Sequence, residues 1–201
     1  LIVNSGGAAS LVDFVSEAQG NAKLPGIMAV GYIAAFSETL ALAIIVSKGV
    51  APLREALVMA PEGNLKAACA CSLGQSVRHT PDHARALAEG DVLRHLLACF
   101  VHEDSSEDLK TKSKRALKAI LAKCTHLQAL QPLLREAPTK VQKYVLKQFA
   151  TILPHDVEAR RAFVQNGGLQ FLQELDETSS GTLTEFIQQI NACYPAEIVE
   201  Y

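Results

Sequence analysis

The stretch Thr80-Pro81-Asp82-His83-Ala84-Arg85-Ala86-Leu87-Ala88-Glu89-Gly90, followed by Leu93, Leu96, Leu97 and Phe100, decides the fold. Thr80 offers a side-chain acceptor for an N-cap. Pro81 suits the first helical position, where its missing N–H has no intrahelical partner to lose, and Gly90 can adopt the left-handed conformation past a helix end. The passage therefore reads as a short helix, a stop, and at once a second helix with apolar residues at helical spacing. The same punctuation, an apolar residue, two more residues and a glycine, recurs at residues 3–6, 46–49 and 164–167. Successive glycines, Gly6, Gly49, Gly90 and Gly167, lie 43, 41 and 77 residues apart, and the last gap is close to two of the shorter ones. One copy inside it has lost its glycine.

Each unit of about 40 residues reads as three helices. Residues 39–48 and 156–166 repeat the short first helix, and Leu11, Val12 and Val15, then Leu53, Ala56 and Leu57, mark second helices. Pro25-Gly26 opens a third helix through Met28 and Ile33, Asn64 is expected to cap one through Leu73, and Ser105-Ser106-Glu107-Asp108 opens one through Ala116, Ile120 and Leu121. In the copy without glycine, Leu130-Gln131-Pro132-Leu133-Leu134 starts the second helix and residues 140–152 form the third around Val141, Val145 and Phe149. Residues 168–191 complete a final unit with Leu169, Leu172, Phe186 and Ile190. About five units fit. None can bury its apolar face alone, so residues 1–201 are expected to stack as a single repeat array without a domain boundary.

Composition agrees with an all-α chain. Hydrophobic residues make up 49% of the 201, enough for a continuous core, while aromatic residues are only 5% and Trp is absent. Helices packed through Ala, Leu and Val suit that composition better than aromatic, β-branched strands do. A net charge of −2 gives no reason to expect a nucleic-acid partner, but it conceals an asymmetry: residues 101–150 carry +5 and residues 151–201 carry −6. Five cysteines, an odd number set among apolar neighbours, read as reduced thiols of an intracellular protein. Ser37, Glu38 and Thr39 interrupt the most apolar stretch, so no membrane span is expected. The chain begins Leu1-Ile2-Val3 without a Met, which reads as a piece of a longer array. Its first repeat is expected to bury exposed apolar surface by self-association, through end-to-end stacking or exchange of terminal helices.

Short helix, glycine, Leu-bearing second helix and Ala-rich third helix, as in Ala67-Ala68-Cys69-Ala70-Cys71-Ser72-Leu73, together resemble the armadillo repeat. That resemblance implies a right-handed superhelical solenoid. The run from Phe100 through His102-Glu103-Asp104-Ser105-Ser106-Glu107-Asp108-Leu109-Lys110 to Lys123-Cys124 is more specific. With Lys140-Val141-Gln142-Lys143-Tyr144, Leu153-Pro154-His155-Asp156 and Asn166-Gly167-Gly168, it resembles the C-terminal part of armadillo proteins of the axonemal central apparatus, over what reads as the whole chain. This second resemblance implies a non-catalytic scaffold of motile cilia and sperm flagella, in the cytoplasmic cytoskeleton, with axonemal proteins and microtubules as partners.

The surface feature with most information is the basic middle. Lys110, Lys114 and Lys118 recur at four-residue spacing with Lys112 and Arg115 nearby, and Lys140, Lys143 and Lys147 form a similar stripe one unit later. If third helices line the concave face, as the armadillo resemblance implies, these would make a groove for an acidic peptide such as the glutamate-rich tail of tubulin. Two other readings stand beside it: a solvated face that keeps the chain soluble, and a seat for the acid-rich tail of another copy, through Glu174, Asp176, Glu177 and Glu185. A soluble adaptor for acidic motifs in signalling or transport is the alternative function. Nuclear-import adaptors of this fold present Trp and Asn to basic peptides, and here Trp is absent and the groove has the opposite sign.

Catalysis and metal binding find no support. Cys69 and Cys71 point about 200° apart on a helix and cannot share one ion. Pro81 separates His79 from His83, which leaves His79 outside the helix. A Gly-x-Ser-x-Gly elbow, a phosphate loop and His-Glu-x-x-His are all missing, so no cofactor and no enzymatic role are expected.

Overall fold

The computed structural model describes residues 6–61, 63–176 and 181–195, with the side chain of Asp176 set aside. The expectations on Leu1, Ile2, Val3 and Glu177 fall outside the described residues. Among those that are described, every regular element is a helix. The chain forms two compact units, Leu1–Cys124 and Thr125–Tyr201.

The first unit holds α1 (Gly7–Glu17), α2 (Leu24–Phe36), α3 (Glu38–Val46), α4 (Val50–Met59), α5 (Gly63–Ser76), α6 (Pro81–Glu89), α7 (Val92–Val101) and α8 (Glu107–Leu121). Two complete triplets, α3–α5 and α6–α8, follow the partial pair α1–α2. Several caps fall where the sequence puts them. Thr80 Oγ1 accepts from the His83 amide at 3.4 Å and Ser106 Oγ from the Leu109 amide at 3.2 Å. Ser37 does the same for Leu40, and acidic Glu107 and Asp108 occupy the first turn of α8, where the helix dipole favours them.

Third helices α2, α5 and α8 pack side by side, and small residues let them approach. A Cβ built on Gly31 would meet Ser72 Oγ at 2.5 Å and Ser72 Cα at 3.1 Å, and one on Gly74 would meet Ala116 Cα at 3.0 Å. Ser72 Oγ uses the first of these approaches to donate to the Ile27 carbonyl at 2.7 Å, which ties α5 to α2. Between these helices and α4 and α7 lies the core, with Ile27, Leu53, Leu57, Leu65, Leu73, Leu96, Leu117 and Ile120 at 2% exposure or less.

The second unit holds α9 (Leu127–Glu136), α10 (Thr139–Ile152), α11 (Val157–Gln165), α12 (Gly168–Asp176) and α13 (Thr182–Asn191). The repeat that lost its glycine has lost the first helix as well, since α8 ends at Leu121 and the next helix is α9. In the final repeat Asp156 Oδ1 caps α11 by accepting from the Ala159 amide at 2.9 Å. Phe149 of α10 packs on Phe163 of α11 with ring centroids 4.8 Å apart, and the Phe163 ring stacks on Tyr194 at 6.5 Å. Gln142, buried on α10, donates to the Leu134 carbonyl at 2.8 Å and so satisfies the end of α9.

Three expectations need correction. The left-handed residue at the stops is not always the glycine: φ is −66° at Gly49 and −80° at Gly90, while Lys48 before the one and Asp91 after the other take 63° and 59°. Gly167 does take it, at 70°. Gly49 is required for space, because a Cβ there would lie 2.7 Å from Ile44 Cγ2 and 3.0 Å from Val12 Cγ2. Asn64 is not the cap of α5. It lies inside the first turn, where its Oδ1 accepts from the neighbouring Leu65 amide at 2.8 Å. Finally, α9 starts at Leu127, which places exposed Pro132 inside the helix rather than in its first turn. Burial of Leu130, Leu133 and Leu134 holds the helix despite the amide that proline lacks.

His83 marks a pH-sensitive point of the first unit. Its ring is 3% exposed, Nδ1 has no hydrogen-bond partner, and the His79 ring stands edge-on at 6.3 Å. Burial, then the His79 charge, lower its pKa below the ordinary value, against the weaker opposing pull of Glu38 and Asp82. The unfolded chain therefore binds this proton more readily, and stability present above the unfolded pKa is lost as pH falls through the folded one. The thermal midpoint is expected to drop between pH 7.5 and 5.5, and His83→Gln should flatten that part of the curve. An unchanged slope in the variant would assign the pH dependence elsewhere.

Candidate protein-binding site

The groove-forming surface of the first unit lies along α2, α5 and α8. Two cavities open there. One, about 290 Å³, lies between α2 and α5, lined by Leu24, Met28, Tyr32, Ala68 and Ser72. The other, about 340 Å³, lies between α5 and α8 over Ala70, Gly74, Ala116 and Ala119, with Arg78, Lys112 and Arg115 at its edges. Cys71, Gln75 and Lys112 line both, so the two adjoin.

The buried residues of α8, Leu109, Ser113, Ala116, Leu117, Ile120 and Leu121, fix where its cations sit. With about 100° per residue, Lys110 and Lys114 fall on one flank of the helix, and Lys112 and Arg115 on the flank that faces α5. Lys110 is half-buried and donates from Nζ to the Glu103 carbonyl at 3.0 Å, with Glu107 at 4.0 Å. Lys114 is half-buried, and Arg115 and Lys118 are exposed. Lys112 pairs with Asp108 at 2.8 Å. On α10 the reading by spacing meets a simple geometry: Lys140, Lys143 and Lys147 are all exposed, opposite buried Val141, Val145 and Phe149. Lys143 Nζ stands 5.2 Å from the Tyr144 ring centre, a weak cation–π contact. Lys110, Lys114, Arg115 and Lys118 belong to the first unit and Lys140, Lys143 and Lys147 to the second, so a joint groove is a matter for proposal.

Periodicity gave no sign of the bonds that join one repeat to the next. Arg54 on α4 donates to the Gly90 carbonyl at 3.2 Å. In the second unit Gln131 on α9 reaches the Ala162 carbonyl at 3.4 Å, and Arg135 reaches the Gly167 carbonyl at 3.1 Å while lying 5.0 Å from the Phe171 ring centre. Arg54 thereby reaches a carbonyl just past the end of α6, and Gln131 and Arg135 reach carbonyls at the end of α11. A polar residue shortly after the first core leucine of a second helix was the available signal.

Of the five free cysteines, Cys69 and Cys124 are buried. Cys69 is fully buried, and burial pushes its pKa up to about 12. Burial also raises Cys99 and Cys193. No group of three His, Cys, Asp or Glu able to hold a metal occurs among the described residues, and none of the helices described is long and apolar enough to cross a membrane.

No family model matches the sequence. Solved structures similar in fold include the designed armadillo repeat protein YIII(Dq)4CqI, with a TM-score of 0.60 and 19% identity over 96% of this chain and 84% of that one. A computationally designed armadillo repeat protein for modular peptide recognition aligns with a TM-score of 0.63 and 19% identity, covering the same shares. The chain has the armadillo-repeat fold. Its sequence is 52% identical over 141 residues to sperm-associated antigen 6 of Homo sapiens, and equally to that of Mus musculus. The matched stretch is 70% of this chain, short of the whole-chain likeness expected, and it spans 28% of the length of either relative.

Proposed function

We propose that the chain is a non-catalytic scaffold of the central apparatus in motile cilia and flagella, and that residues 1–201 act there as one armadillo array. Identity of 52% over 141 residues to sperm-associated antigen 6 carries this reading. Its partners are axonemal proteins and microtubules, held through the third helices. The exposed stripe Lys140, Lys143 and Lys147, with Lys110, Lys114, Arg115 and Lys118 of the preceding repeat, supplies positive charge that attracts the acidic tails of tubulin. A designed relative of the same fold is complexed with the basic peptide (KR)4. Cations on the third helices of this chain favour a peptide of opposite sign. Exposed Phe14 and Phe36 on α1 and α2 support self-association through the first repeat.

Co-sedimentation with microtubules, before and after proteolytic removal of the tubulin tails, tests the proposal. Pelleting is expected with intact microtubules, to fall about fivefold or more without tails, and to fall similarly in the variant K114E/K118E/K143E/K147E. Pelleting that ignores both changes would contradict the role given to the lysines. No pelleting with either lattice would instead favour a soluble adaptor for acidic motifs.

A further inference from the structure

A cavity of about 540 Å³ lies between α4 and α7, where the first residues of α5 and α8 close it. A Cβ built on Gly63 of α5 would stand 3.7 Å from Ser106 Oγ, so the two helix starts come together here. Leu57, Val58 and Ala98 supply apolar wall, and Lys66, His95 and His102 supply basic groups. Lys66 belongs to the α3–α5 triplet and both histidines to the next, α6–α8. The Lys66 side chain is half-buried, and no ion pair or hydrogen bond of its ammonium occurs among the described residues. His95 already has a carboxylate beside it, with Asp91 Oδ2 3.7 Å from Nε2. His102 Nδ1 accepts from the Asp104 amide at 3.2 Å, which leaves Nε2–H as the donor of the neutral ring. Two hydroxyls stand on the same rim, in the run Glu103-Asp104-Ser105-Ser106-Glu107-Asp108. Ser106 Oγ is committed to capping α8, 3.2 Å from the Leu109 amide, whereas half-buried Ser105 makes no side-chain hydrogen bond among the described residues.

We infer that Ser105 is a phosphorylation site, and that its phosphoryl group is received by Lys66 and His102 across this cavity, stapling one repeat to the next. Four carboxylates in six residues fit a kinase whose substrate cleft is basic, since charge pattern is one way such enzymes tell one serine from another. The first turn of α8 is an exposed helix end, where opening costs least, so the kinase can draw out an extended segment. In the transfer, Ser105 Oγ bonds to the γ-phosphorus of ATP and the bond from that phosphorus to the β,γ-bridging oxygen breaks. ADP leaves, and the hydroxyl proton passes to the catalytic carboxylate of the kinase. The same four carboxylates argue against a free anion as the ligand. They repel one arriving from solution, whereas a phosphoryl group bonded to Ser105 is held beside Lys66 at high effective concentration. Phosphoserine carries a charge of about −1.5 to −2 and three acceptor oxygens, enough for both donors. Stacked repeats are stabilised through their neighbours, so this contact strengthens the joint between two triplets rather than either alone.

The full chain, incubated with a casein-type acidophilic kinase and ATP, is expected to gain one phosphoryl group by intact mass, mapped to Ser105 by tandem mass spectrometry. S105A should lower incorporation about tenfold, and S106D, which retains a capping oxygen, by less than about twofold. No incorporation, or incorporation that survives S105A, overturns the site. Phosphorus NMR titration of the phosphorylated chain then tests the receiving groups. The reference is a phosphopeptide of residues 100–109, whose carboxylates push the second phosphate pKa up from about 6. In the folded chain that pKa should lie about 0.5 or more below the peptide's, and K66Q/H102Q should remove most of the difference while circular dichroism confirms the fold. A value at or above the peptide's, or a difference that survives K66Q/H102Q, would overturn the staple.

Discussion

Phe149→Ala is expected to lower stability by about 3–5 kcal/mol, the range for deleting a fully buried aromatic side chain. Phe149 is 0% exposed and is the hub of the second unit, packed on Phe163, which in turn stacks on Tyr194. Removing its ring leaves a cavity and strips one face from Phe163, adding the loss of an aromatic pair to the loss of apolar burial. The cavity closes poorly because Val145, Leu146 and Ile152 around it are fixed by the same helix. Urea unfolding followed by circular dichroism measures the change. A shift below about 1 kcal/mol would mean that α10 does not carry the core of this unit.

Gly74→Leu is expected to cost about 3 kcal/mol or more, through a different mechanism. The obstacle at Gly74 is backbone: Ala116 Cα lies 3.0 Å from where the new Cβ would be, and Ala116 Cβ 3.1 Å. A flexible side chain could swing away, but here two whole helices must separate, and the burial shared by α5 and α8 goes with them. Alanine at the same place tests the account, because the better helix propensity of alanine offsets about 1 kcal/mol of the crowding. Gly74→Ala should therefore be far milder than Gly74→Leu in the same urea titration. Equal and small effects would show that the helices do not touch here.

The repeat was legible because its signals are local. A capping side chain, a proline at the first helical position and a glycine three residues past an apolar one each act within a few residues, so Thr80, Pro81 and Gly90 mark α6 without any tertiary information. Boundaries failed where packing overrode such signals. Buried Leu130, Leu133 and Leu134 extend α9 by a turn ahead of Pro132, against the usual preference of proline. At Gly49 the sequence showed a glycine but not its reason, which is the closeness of Ile44 and Val12.

The site was legible only in part. Four-residue spacing identifies Lys110, Lys114 and Lys118 as one edge of α8 but says nothing about which edge meets α5. The structure gives that place to Lys112 and Arg115. Arg78, two residues past the end of α5, lies outside the basic middle. The exposure of Met28 and Tyr32 carried no signal in the sequence, since periodicity cannot distinguish a buried flank from an exposed one on a helix as uniformly apolar as α2.

Amide chemical-shift mapping of the isotope-labelled chain, titrated with the acidic C-terminal peptide of tubulin, puts the central claim to its most direct test. Recognition through the third helices predicts shifts clustered on α2, α5, α8 and α10, with Tyr32, Gln75, Arg78, Arg115 and Lys143 among the largest, fading as salt is raised. Shifts confined to the second helices α4 and α7, or none at millimolar peptide, would contradict it.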